Sequence, residues 1–314
     1  MKNKTIIFGS FLILVLVIFF SLFIGSGSIN IFSLSKSGHD ILFGIRIPRI
    51  LLGLITGMIL ATTGGVFQGM LNNPLAEPYL LGISSGAALG SIIAIVINKI
   101  FLMPIFGFFG ALLTIILVWK IAQKEKLIQR TQLILAGIII GLFFSAIIAL
   151  LMSIFHRDLG QIFSILMGNL GYIFAKDNIF ILWIMLIIAV VGVTLLNIFS
   201  NRLNILSLGD YTAGSLGVDA NRTRKILFLV SSLLVGMVVS FTGIIGFVGL
   251  IIPHICRLII GPNNRLLLPA AGFLGAAFLI FCDTIARSLL VIELPVGVVT
   301  ALFGAPFFIY LLKK

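Results

Sequence analysis

Long apolar runs, separated by short polar or proline-bearing pieces, dominate the chain. The first occupies residues 6–24 and follows Met1-Lys-Asn-Lys. It is long for a secretory leader, and further apolar runs follow it, so it is read as an uncleaved first helix that starts in the cytoplasm. Residues 25–44 are polar enough for an external loop. A second run, about 50–70, is dense in small residues (Gly53, Thr56, Gly57, Thr62, Thr63, Gly64, Gly65, Gly69), which let helices approach closely in lipid. The piece Asn72-Asn-Pro-Leu-Ala-Glu-Pro78 carries two prolines and stops that helix. Further runs cover about 79–97, 100–119, 132–154 and 179–199. His156-Arg-Asp158 closes the fifth, and 161–170 is too short to cross, which predicts a partial helix lying at one face. Residues 226–260 are too long for one crossing, and Thr242-Gly243 through Gly246 supplies a break that makes them spans seven and eight. Spans nine and ten take about 266–289 and 295–312.

Each crossing needs about 20 residues, so ten helices use most of the chain and leave no separate soluble domain. The apolar runs are continuous rather than alternating, which excludes an outer-membrane barrel. Composition agrees. The 314 residues are 60% hydrophobic and only 10% charged, against about 25% charged in an average soluble domain. A soluble fold of that composition would leave large apolar patches in water, and disorder is excluded by the same figures.

The formal charge of +12 would suggest nucleic acid on a soluble protein. Here the basic residues sit between apolar runs and report orientation instead, and no nucleic-acid partner is expected. With both termini inside, Lys2, Lys4, Lys120, Lys124, Lys126, Arg130, Arg202, Arg222, Arg224, Lys225, Arg265, Lys313 and Lys314 are cytoplasmic. Lys36, Arg46, Arg49, Lys99, Arg157, Lys176 and Arg287 are outside, and Arg257 lies within span eight. The excess on the cytoplasmic side favours this orientation.

The candidate chemistry is sparse. No Gly-x-x-x-x-Gly-Lys-Ser/Thr loop exists to cradle nucleotide phosphates, and there is no catalytic set, metal spacing or cofactor motif. Cys256 and Cys282 lie inside apolar segments and read as packing residues. His254, after Pro253, reads first as a packed, hydrogen-bonded histidine and second as a ligand contact. Asp283 and Arg287, one turn apart with the acid first, suit a helical ion pair. Arg46-Ile-Pro-Arg49 at the mouth of span two fits either interfacial snorkelling or docking of an acidic partner by guanidinium–carboxylate pairs. Between Arg202 and Lys225, the segment 206–218 reads as two short helices bounded by Gly209 and Gly217. A loop this ordered contacts something. An ion-gradient-driven secondary transporter is the competing reading. It would need carboxylates near the midplane, whereas the acids cluster at span ends.

Five motifs, in order along nearly the whole chain, resemble one family. They are Arg46-Ile-Pro-Arg49; Asn73-Pro-Leu-Ala-Glu-Pro78 with Leu81-Gly-Ile-Ser-Ser-Gly86; Leu208-Gly-Asp210 with Ser215-Leu-Gly217; Gly246-Phe-Val-Gly-Leu-Ile-Ile-Pro-His254; and Glu293-Leu-Pro-Val-Gly-Val-Val-Thr-Ala301. The family is the permease of bacterial ABC importers for iron–siderophores, haem and vitamin B12. The resemblance implies an all-α integral membrane protein with about ten transmembrane helices, residues 1–314 forming one permease domain in the cytoplasmic (inner) membrane. It implies a homodimer, or a heterodimer with a paralogue, two cytoplasmic ATPase subunits and an external binding protein, with no resident cofactor. It assigns residues 201–225, and in them Ser207, Leu208, Gly209, Asp210, Ala213, Ser215, Leu216 and Gly217, to ATPase coupling. It assigns Arg46, Arg49 and Arg287 to docking of acidic side chains on the binding protein. The path is expected along the dimer axis, lined mainly by span five with help from spans eight and ten. The cargo implied is a bulky metal chelate, ferric siderophore first, haem or cobalamin next.

Overall fold

The computed structural model describes residues 2–24, 36–124, 127–174, 178–290 and 292–312. Most of the expected first external loop, with Lys126, Lys176, Lys313 and Lys314, lies outside the described residues. The α-helices in chain order are α1 (Lys2–Phe23), α2 (Lys36–Ile41), α3 (Ile47–Leu71), α4 (Ile83–Val96), α5 (Met103–Ala122), α6 (Arg130–Ile154) and α7 (Leu159–Met167). They continue with α8 (Ile179–Ile198), α9 (Ser200–Leu206), α10 (Asp210–Ser215), α11 (Ala220–Thr242), α12 (Val248–Ile260), α13 (Asn264–Ser288) and α14 (Val296–Leu312). Among the described residues, the strands are two residues each, Gln123–Lys124 and Leu127–Ile128, paired in a hairpin between α5 and α6.

Helices α1, α3, α5, α6, α8, α11 and α13 are long and apolar enough to cross a bilayer. The shorter α4, α12 and α14 are apolar too. These ten correspond, in order, to the ten apolar runs. The partial helix expected at 161–170 is α7, and the break between spans seven and eight falls between Thr242 and Val248.

Three boundaries differ from the sequence pattern, each for a local reason. A π-helical turn, Leu42–Arg46, joins α2 to α3, so the chain is already helical through Arg46-Ile-Pro-Arg49. Pro48 fits because it stands in the first turn of α3, where an N–H would have no intrahelical partner. Span three begins late: a 3-10 turn, Pro78–Leu81, and left-handed Gly82 precede α4. Span seven begins early, at Ala220, because the Asp219 side chain accepts the Arg222 backbone N–H and caps α11 ahead of its apolar part.

The centre of the bundle is α3, buried on nearly every side, with α13 as its main neighbour and α12 and α11 beside it. Lipid offers no hydrophobic drive between helices, so contact requires close backbone approach. Two glycine pairs provide it. A Cβ at Gly57 would lie 2.8 Å from the Ala276 Cα, and the Gly275 carbonyl lies against the same spot. A Cβ at Gly64 would lie 2.6 Å from the Gly249 Cα and overlap its carbonyl. By contrast α1, α5, α6 and α8 present Phe8, Phe109, Leu142 and Ile187 outward, as lipid-facing helices do.

Gly64→Ala is expected to lower the thermal unfolding midpoint in detergent, because the added methyl meets backbone that cannot yield; the cost is about 1–3 kcal/mol. Gly9→Ala on α1, which meets nothing within 4 Å, is the control and is expected to leave the midpoint in place. Equal midpoints for both variants would mean that the α3–α12 contact is not close-packed.

Candidate functional site

Chemistry collects at the two ends of the α3–α13 pair and in a cavity beside them. At one end, Arg49 of α3 reaches Asp283 of α13. Its Nε donates to both carboxylate oxygens at 3.1 and 3.0 Å, and its Nη2 donates to Oδ1 at 2.9 Å. Nη1 donates to Glu293 Oε2 at 2.8 Å, in the connection between α13 and α14. Arg287, one turn along from Asp283, has its Nε 3.7 Å from Oδ2, and it donates to the carbonyl and hydroxyl of Ser21 on α1. Arg46 donates to the Leu22 carbonyl at 2.8 Å. The three arginines singled out by sequence therefore meet at one end of the bundle, and all three are buried, at 4%, 7% and 4% exposure. Burial of a guanidinium demands a partner, and Asp283 serves two of them. Asp283 and Glu293 both supply carboxylates to Arg49, and Asp283 lies beside Arg287 as well. The contact of Arg49 with Asp283 spans 234 positions, which is why spacing gave the Asp283–Arg287 pair and missed it.

At the opposite end lies the segment between α8 and α11. Helix α9 ends with the Ser207 hydroxyl donating to the Asn204 carbonyl at 2.6 Å. Gly209 turns the chain with φ +112°, a conformation that a side chain resists, and α10 starts at Asp210. A second positive φ, +75° at Gly217, follows the exit from α10, where the Ser215 hydroxyl donates to the Thr212 carbonyl. Ala213 is buried against the bundle, while Leu208, Tyr211 and Leu216 face outward at 64%, 92% and 57% exposure. Asp210 is gripped twice. Arg130, the first residue of α6, donates to Oδ1 at 2.5 Å. Arg224 of α11 donates to Oδ1 and Oδ2 at 2.8 and 3.0 Å. Partial burial alone would raise the Asp210 pKa, but the two guanidinium groups hold it below the usual carboxylate range. The grip is therefore complete at neutral pH and is lost only as pH falls through that lowered value. Asn204 ties the same segment to α13: its Oδ1 accepts from the backbone and side chain of Asn264 at 2.8 Å each, and its Nδ2 donates to Asn263 at 3.0 Å.

The cavity, about 640 Å³, is mainly apolar. One face of α6 lines it at helical spacing: Ser145, Ile148, Ala149 and Met152. Gly246 and Phe247 line it at the α11–α12 break, with Gly297 and Ala301 of α14. Spans five and ten and the break ahead of span eight thus line it, together with Ser85 of span three. The structure adds α7 through Leu166 and Met167, held to the break by the Ile244 N–H donating to the Ile165 carbonyl at 2.8 Å. It also adds Glu77, whose carboxylate accepts the backbone N–H of Phe247, a non-glycine residue at φ +70°. In the sequence Glu77 belongs to a proline-bounded loop and to the Asn73–Pro78 motif, with no role of its own. A lone acid between Pro74 and Pro78, flanked by two spans, was the available signal. His254 packs edge-on and tilted against Phe307 and Phe308, and its Nδ1 meets no hydrogen-bond partner among the described residues. Cys256 and Cys282 are buried.

The FecCD transport family matches residues 13–314. The chain belongs to that family. A cobalamin import system permease protein of Halobacterium salinarum is 39% identical over 284 residues, 90% of this chain and 76% of that one. An iron(III)–citrate import system permease protein of Bacillus subtilis is 36% identical, covering 90% and 85%. A hemin transport system permease protein of Yersinia pestis is 36% identical, covering 97% and 94%. Among solved structures, a chain described as of metal-chelate ABC-transporter type, in an inward-facing conformation, superposes with a TM-score of 0.88 at 35% identity and covers 99% of both chains.

Removing Asp283 strands two buried cations. Asp283→Ala is therefore expected to destabilise the detergent-solubilised protein by about 3–5 kcal/mol. Glu293→Ala, at a side chain 46% exposed, is expected to cost less than about 1 kcal/mol. Thermal unfolding at neutral pH separates them, and equal losses would contradict the assignment of Asp283 as the structural anion.

Proposed function

We propose that this chain is the membrane-spanning subunit of an ATP-driven importer for a bulky metal chelate, a ferric siderophore first, with haem or cobalamin next. The arrangement that carries this reading is charge chemistry at both ends of one bundle with a largely apolar cavity beside it, in a chain that matches its family over nearly its whole length. A weakly binding path suits a large cargo, because tight binding inside would favour one state and slow release. The energy comes from outside the chain, through two ATPase subunits on the cytoplasmic side.

In this reading both termini are cytoplasmic and the protein sits in the inner membrane, as a homodimer or with a paralogue. Residues 201–225 take the ATPases: Leu208, Tyr211 and Leu216 form the exposed apolar contacts, and Ser207, Gly209, Asp210, Ala213, Ser215 and Gly217 shape the two short helices that carry them. Arg46, Arg49 and Arg287 stand at the external end, where their guanidinium groups attract acidic side chains of a binding protein. Arg49 and Arg287 already share Asp283, so docking at Arg49 draws on exchange of the half-exposed Glu293.

The test is uptake into vesicles holding the permease with its ATPases. Radioactive iron in a ferric hydroxamate, haemin and cyanocobalamin are offered in turn with the cognate binding protein. Uptake of one of them is expected to require both ATP and the binding protein; uptake driven by a proton gradient with no ATPase present would refute the reading. Asp210→Arg puts a third cation against Arg130 and Arg224 and is expected to separate ATP hydrolysis from uptake. Arg46→Glu is expected to weaken binding-protein affinity, more at low than at high ionic strength. Affinity unchanged at low salt would remove Arg46 from the docking surface.

A further inference from the structure

Besides the packing of Leu203 and Leu206, two polar clamps that differ in kind fasten the segment that carries α9 and α10 to the bundle. One is the amide clamp of Asn204 on Asn263 and Asn264. It joins the segment to α13, which packs on the buried α3. The other is Asp210, held by Arg130 and Arg224.

Arg130 occupies a position that helix electrostatics disfavour. A cation in the first turn of α6 faces the positive end of that helix dipole. Its side chain instead satisfies two groups of the neighbouring segment: the Asp210 carboxylate at 2.5 Å, and the Leu206 carbonyl at the end of α9, at 3.2 Å. One guanidinium therefore bridges the end of α9, the start of α10 and the start of α6.

Helix α6 is also a long wall of the cavity that packs along one side only. Its buried residues form a narrow stripe, Leu133, Ala136, Gly137, Ile140, Phe144 and Ile148, and it packs chiefly on α4, α5 and the Pro78–Leu81 turn. Ser145, on the cavity side, lies 15 residues beyond Arg130, a lever of about 22 Å along the helix. Arg224 grips the same carboxylate from α11, but α11 ends at Thr242, before the first cavity-lining residue of that stretch, Ile244.

We infer that Arg130 is the positioning residue that transmits displacement of α10 to the cavity wall: the segment pivots at the asparagine clamp on α13, and Asp210 pulls α6 through Arg130. This rests on the reading of residues 201–225 as the ATPase contact.

The test uses the complete complex with its ATPases in vesicles and a reporter that needs no knowledge of the cargo. Ser145→Cys places a thiol on the exposed cavity face of α6, and the native thiols of Cys256 and Cys282 are buried. Labelling by a water-soluble methanethiosulfonate is timed without nucleotide and after trapping with ATP and vanadate. In the Ser145→Cys parent the rate is expected to change at least fivefold on trapping. Added Arg130→Gln is expected to reduce that change to less than twofold, and Arg130→Lys, which keeps the charge, to restore at least half of it. Arg224→Gln, which removes the other cation from the same carboxylate, is expected to keep at least half. Thermal unfolding of each complex establishes that it is folded.

A full fivefold change in folded Arg130→Gln would overturn the proposal. Equal loss in Arg130→Gln and Arg224→Gln would overturn it too, since it would make Asp210 a structural anchor only. No change in a parent complex that hydrolyses ATP would overturn it as well, whereas failure of the complete complex to hydrolyse ATP would instead remove the ATP-driven reading on which the proposal stands.

Discussion

Backbone-to-backbone contact between α3 and its neighbours α13 and α12 is the constraint on which the rest of the structure depends. In lipid, helices gain nothing from hiding apolar surface, so they hold together by close approach and by polar groups satisfied across the interface. Gly57 against Gly275 and Gly64 against Gly249 supply the approach. Gln68 adds a polar link, donating to the Leu250 carbonyl at 3.2 Å. With these contacts formed, α3 and α13 make a strut of about 37 Å, each 25 residues long. Its ends fix where Arg49, Asp283 and Arg287 stand, and where Asn264 meets Asn204.

The two ends use the same device at different depths. Each has one aspartate shared by two arginines: Asp283 with Arg49 and Arg287, and Asp210 with Arg130 and Arg224. The side chain of Asp283 is 3% exposed and that of Asp210 is 53% exposed. A buried shared carboxylate is expensive to disturb, because its loss leaves desolvated cations behind. An exposed one costs less to rearrange, because water can solvate its ions. The buried hub therefore suits a permanent joint of the strut, and the exposed hub suits a joint that keeps its ion pairs while the segment carrying it moves. Between them the cavity wall is apolar, apart from the few polar side chains of Glu77, Tyr79, Ser85 and Ser145.

Much of this was legible in the sequence, and the reasons are physical. Continuous apolar runs with polar punctuation locate crossings because lipid permits few alternatives, and all ten runs became apolar helices in order. Gly209 and Gly217 marked turns because their backbone conformations exclude most other residues. Tertiary pairing was not legible. Arg49 and Asp283 are far apart in the chain, and nothing in either neighbourhood names the other. The same holds for Arg130 with Asp210, and for Glu77 with Phe247. Arg46, Arg49 and Arg287, proposed for docking, stand out by motif, but their burial does not, since Pro48 and the π turn carry the helix past the expected mouth of span two. The early start of α11 is masked in the sequence because residues 221–225 are polar, and Asp219, which caps it, is the signal for it.

In the cycle proposed for this chain, the α3–α13 strut stays fixed while α6 moves under load from residues 201–225. Hydrogen-exchange mass spectrometry of the intact complex, nucleotide-free and vanadate-trapped, reads both parts at once. Peptides from α6 and from residues 200–215 are expected to change protection between the two states, while peptides from α3 and α13 keep theirs. Altered protection along α3 and α13, with α6 constant, would contradict the account.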